Sequence, residues 1–92
     1  MQNIEFETLR QKGNALYKDA YISLAPVLFT SRLYEAISIY ERALKISQTS
    51  DEKASIFKNI GASYKKLNLK PQNETVKKSN LTNSYTFFIK AY

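Results

Sequence analysis

Apolar residues recur along this chain at intervals of three and four, which predicts helices and no strands. In residues 4–20 the apolar positions are Ile4, Phe6, Leu9, Ala15, Leu16 and Ala20. The polar remainder gathers around Arg10, Gln11, Lys12, Asn14, Lys18 and Asp19, and the phase continues through Tyr21 and Leu24. Pro26 disfavours helix at Ala25 and so predicts an end there. The clearest helix is 32–47, with Leu33, Ala36, Ile37, Tyr40, Ala43, Leu44 and Ser47 on one side and Ser31 as its expected N-cap. Thr49-Ser50-Asp51-Glu52 has the spacing of a capping box. It predicts a third helix over 52–68, with Ala54, Phe57, Ile60, Gly61, Tyr64 and Leu67 inward. A loop is expected over 68–73 from its Asn and Pro content. A fourth helix then runs over 76–92, with Leu81, Tyr85, Phe88, Ile89 and Tyr92 along one face. The early part of that helix is rich in Ser, Thr and Asn, which are poor helix formers. The fold class expected is all-α, four helices in two antiparallel pairs.

The two glycines, Gly13 and Gly61, both fall inside predicted helices. A mid-helix glycine costs about 1 kcal/mol relative to alanine, so it needs a packing reason. The segment Lys12-Gly13-Asn14-Ala15-Leu16-Tyr17-Lys18 and the run from Tyr34 to Ile46 resemble the two helices of a tetratricopeptide repeat. That family builds a helix hairpin of about 34 residues, in which small residues let the helices approach. Leu9, Gly13 and Leu16 match its first helix. Ala36, Tyr40 and Ala43 match the small, aromatic, small triplet of its second. Residues 21–31 are extra at the turn; this apolar insert is expected to lengthen the hairpin and pack on its neighbours. A second, degenerate repeat starts at 54, with Phe57, Ile60, Gly61 and Tyr64 in place. Inserting residues 69–76 brings Leu81, Tyr85 and Phe88 to the triplet positions. The chain is thus read as one domain, 1–92: repeat one over 6–50 and repeat two over 54–92. The resemblance implies a short right-handed α-solenoid with long inter-helix turns.

The chain has 92 residues and a net charge of +6, unevenly spread: residues 1–52 carry −1 and residues 53–92 carry +7. The basic half calls for an acidic partner. The resemblance implies that the first helices of the hairpins line a peptide groove. Glu7, Arg10, Asn14, Tyr17 and Lys18 would point into it, followed by Ser55, Lys58, Ala62, Lys65 and Lys66. Spaced cations and amides suit carboxylates, because charged donors make the stronger hydrogen bonds. The chain resembles the first two repeats of co-chaperone domains that clamp the two carboxylates of a chaperone's Glu-Glu-Val-Asp tail. Arg10, Asn14 and Asn59 match three of the five clamp groups. The other two belong to a third repeat, and Ile89 stands where the spacing looks for the lysine. The expected peptide-binding residues are therefore Arg10, Asn14, Lys18, Lys58, Asn59, Lys65 and Lys66. Asn14 and Asn59 have an alternative role in helix packing.

With no His and no Cys, the chain offers no imidazole base, no thiolate nucleophile and no ordinary zinc site. Nor does it contain a glycine-rich phosphate loop. The expectation is a cytoplasmic binding module or adaptor without enzymatic activity, catalytic residues, metal or cofactor. Nucleic-acid binding is disfavoured by the lack of stacking-platform motifs. No apolar run reaches the length of a membrane span. The alternative role is a scaffold, in which the apolar arc of the last helix meets further chain, a partner or a second copy.

Overall fold

A computed structural model describes residues 3–22, 26–69 and 73–91, excepting the side chains of Tyr21 and Pro26. Four helices make up the described chain: α1 (Ile4–Ile22), α2 (Pro26–Lys45), α3 (Ser50–Leu67) and α4 (Glu74–Ala91). No strand occurs among the described residues. Each helix packs on its chain neighbour, α1 on α2, α2 on α3 and α3 on α4. The fold is all-α, as the periodicity predicts. The expectations for Leu24, for residues 70–72 and for Tyr92 lie outside the described residues.

Local chemistry accounts for the helix starts. Asn3 caps α1: its side-chain oxygen accepts from the Phe6 N–H at 3.3 Å. Its amide also donates to the Ile46 carbonyl at 2.8 Å, tying the start of α1 to the end of α2. The capping box is present, with the Glu52 N–H bound to Thr49 Oγ1 and the Thr49 N–H to the Glu52 carboxylate. Asn73 caps α4 through the Val76 N–H at 2.8 Å. Ser31 does not cap α2. It lies inside that helix, which starts with Pro26, a residue suited to a first turn because it has no N–H to leave unpaired. The insert over 21–31 is therefore largely helix and not a long turn. It lengthens the hairpin and brings Phe29 into the core, a burial worth about 2 kcal/mol.

The core comprises Phe6, Ala20, Phe29, Leu33, Ala36, Ile37, Tyr40 and Ala43 of the first hairpin with Ile56, Ile60 and Leu67 of α3. Ile4 and Ala15, expected inward, are exposed. Ile56 and Ser63, not anticipated, are fully buried. Gly13 has its packing reason: an added Cβ would stand 2.5 Å from the Tyr40 ring. Gly61 faces Phe88 in the same way, at 3.1 Å.

That second pairing corrects the register of α4. Phe88 stands opposite Gly61 as Tyr40 stands opposite Gly13, so Phe88 is the aromatic of the second triplet and not its last residue. The triplet is Ser84, Phe88, Ala91, at the spacing of Ala36, Tyr40, Ala43. Gly61 follows Gly13 by 48 residues, and one offset of 48 relates both triplets and the first residues of α2 and α4. Large Leu81 and Tyr85 thus do not occupy sites that require small side chains. Ser84 and Asn80 face inward instead, both buried.

Candidate functional site

Helical spacing puts Asn14, Tyr17 and Lys18 on one flank of α1, and Asn59, Ala62, Lys65 and Lys66 on the matching flank of α3. α1 and α3 lie alongside because both pack on α2. A depression of about 260 Å³ is lined by Asn14, Tyr17, Lys18, Tyr40, Asn59 and Ala62. A second, of about 370 Å³, shares Tyr17 and Ala62 with it and adds Lys65, Lys66, Leu69 and Phe88. The two form one trough across α1 and α3.

Its floor is a hydrogen-bonded bridge between helices. The buried Tyr40 hydroxyl donates to Asn14 Oδ1 at 2.6 Å, and Asn59 Nδ2 donates to the same oxygen at 3.4 Å. Burial raises the Tyr40 pKa well above the ordinary phenol value, with the Tyr17 hydroxyl adding to this and Arg10 opposing it. Tyr40 is therefore a fixed neutral donor. Both asparagines take the packing role that the sequence left open, and both also face the trough. On its wall the Lys66 ammonium sits 5.5 Å from the centre of the Tyr17 ring, a cation–π distance.

The expected residues fall into two groups. Asn14, Lys18, Asn59, Lys65 and Lys66 come together along the trough. Arg10 and Lys58 do not line it. Arg10 forks onto Glu7, with N···O distances of 2.7 to 3.3 Å, and this hydrogen-bonded pair raises the guanidinium pKa. A partly exposed pair of this kind contributes little stability, yet it engages Nε and Nη2 of the five-donor guanidinium. Lys58 is exposed. The sequence reading missed Tyr40, Leu69 and Phe88 as trough residues. A buried tyrosine opposite a glycine was the available signal for Tyr40.

A separate apolar hollow of about 350 Å³ lies on α4, lined by Leu81, Ser84, Tyr85, Phe88 and Ile89, with Lys65 at its edge. Lys65 and Phe88 also line the trough, so the two surfaces adjoin. Behind α4, Phe87 packs between Phe57 and Tyr64, with ring centroids 6.1 and 5.9 Å apart. Lys90 caps that cluster at 5.1 Å from the Phe87 ring centre. Among the described residues no group of three acidic, His or Cys side chains is gathered as a metal site. No helix of the described residues is long and apolar enough to cross a membrane. No family model, curated protein or solved structure matches this chain.

Proposed function

We propose that the chain is a protein-interaction module, related to tetratricopeptide repeats, that binds an acidic peptide segment along the α1/α3 trough. The observation that carries this reading is the trough itself: Lys18, Lys65 and Lys66 surround a floor of Asn14 and Asn59 amides and the Tyr17 ring. Ammonium groups along a groove favour carboxylates, and the amides offer hydrogen bonds to an extended backbone. The lysines act as separate point charges and not as a bidentate fork. The ligand suited to them has carboxylates spaced along its length, not a single tightly clamped terminus. With Arg10 engaged by Glu7, a chaperone-type tail would be one weak member of that class. The role is binding and not catalysis, with no cofactor, and a cysteine-free chain of this kind suits the cytoplasm.

The test is fluorescence anisotropy with a labelled acidic hexapeptide ending in a free carboxylate. Lys18→Ala combined with Lys66→Ala should weaken binding by about tenfold or more, since each charge-assisted contact is worth at least that factor. Raising the salt should weaken wild-type binding as well. Equal affinity of the double variant and the wild type refutes the proposal.

A further inference from the structure

The 48-residue offset relates α4 to α2 position by position, and the two helices differ in one respect. Leu33 and Ile37 of α2 are 0% and 4% exposed, whereas their α4 counterparts Leu81 and Tyr85 are 52% and 73% exposed. Leu33 and Ile37 share one buried cluster with Ile56, Ile60 and Leu67 of α3, the helix that packs on α2. The stripe Ile56, Ile60, Ser63, Leu67, buried and spaced by four, three and four, lies beside the one that meets α4 and so faces α2. Among the described residues α4 packs on α3, which leaves that side of it exposed.

Its charge identifies what fits. Lys65 borders the hollow, and exposed Lys78 lies one turn before Leu81 on the same side of α4. Residues 53–92 carry +7 in all. A second copy is a poor occupant. The α1 positions that correspond to Ile56, Ile60, Ser63 and Leu67 are Thr8, Lys12, Ala15 and Asp19, all exposed. Docking them on α4 would set Lys12 against Tyr85 and Leu81 in a lysine-rich setting. Two α4 helices face to face would bring the Lys65 side chains of both copies to one apolar seam, a like-charge juxtaposition that disfavours the pairing.

We propose that the Leu81–Tyr85–Ile89 side of α4 is a docking surface for an amphipathic helix of another protein. That helix is apolar at spacings of four, three and four, and acidic along its edges. The surface adjoins the peptide trough, sharing Lys65 and Phe88 with it, and is tested apart from it.

A probe follows from the chain itself: a labelled peptide of residues 50–67 carrying Lys53→Glu, Lys58→Glu, Lys65→Glu and Lys66→Glu. It should bind the full 92-residue chain saturably in anisotropy titrations, and more weakly as salt rises. Leu81→Ser and Tyr85→Ser, neutral changes at exposed positions, should each weaken it by about tenfold. The losses from Leu81→Ser and Tyr85→Ser should persist at the same size in a Lys18→Ala, Lys66→Ala background, which separates this surface from the trough. Three results would overturn the inference. One is no saturable binding up to about 1 mM peptide. Another is unchanged affinity in both serine variants. The third is a dimer of the chain in sedimentation that Tyr85→Ser dissolves, which would make a second copy the occupant.

Discussion

A methyl group at position 13 has no room. It would meet the Tyr40 ring at 2.5 Å, and that ring is buried and held by its hydrogen bond to Asn14. Gly13→Ala should therefore destabilise the chain by about 1–3 kcal/mol through overpacking, despite the ~1 kcal/mol alanine gains in helix propensity. Gly61 meets a half-buried Phe88 at 3.1 Å, a ring with freedom to yield, so Gly61→Ala should be near neutral. Urea denaturation of both variants checks the contrast; equal losses would contradict it. Tyr40 sets an alkaline limit. Its folded pKa lies above the unfolded value of 10.0, so the proton is held more tightly in the native state. The stability this gives is complete below pH 10 and declines as pH rises beyond it. Tyr40→Phe should cost about 1 kcal/mol at neutral pH from the lost hydrogen bond. Wild type and variant should converge between pH 10 and 11 in urea melts.

At the scale of the element, α4 reveals how much the sequence could disclose. Helices α1 to α3 are legible from their apolar stripes and α3 also from its capping box, whereas the start of α2 at Pro26 was hidden by the expectation of a Ser31 cap. The inward side of α4 is not legible, because a polar pair does part of the work of packing. Asn80, 3% exposed, donates to Asn68 Oδ1 at 3.0 Å, and Asn68 donates to the Lys77 carbonyl at 3.1 Å. Asn68 also closes α3 with its backbone N–H. A reading by hydrophobicity puts Leu81, Tyr85 and Ile89 inside and Asn80 and Ser84 outside; the structure has the reverse. The recurrence of glycine, small residue and aromatic at one offset was the signal that would have set the register. Asn80→Ala leaves the Asn68 side chain short of a partner and should cost about 1–3 kcal/mol. Asn80→Leu should fare no better, since it leaves the same atom unpaired. Thermal melts decide this, and a stabilised leucine variant would remove the asparagine pair as the register device.

For the whole molecule, the accessible surface is 6141 Å², against about 5,500 Å² for a compact protein of this mass. Part of that excess is the apolar side of α4, with Tyr85 73% and Ile89 68% exposed. The trough was legible through the resemblance to tetratricopeptide repeats, whose first-helix groove places select Lys18, Lys65 and Lys66; helical spacing alone does not join positions on two helices. The withdrawal of Arg10 was not legible, because Glu7 lies one turn away and only side-chain geometry shows the pair closed.

The unlike ends of this helix row bear on its behaviour when crowded. Growth of a filament needs a subunit whose head fits the tail of the next. Here the α4 tail is oily, but the α1 head carries a lysine where the complementary isoleucine would sit. A head-to-tail contact of α1 on α4 is therefore disfavoured, and the apolar side of α4 does not by itself seed a fibre by that route.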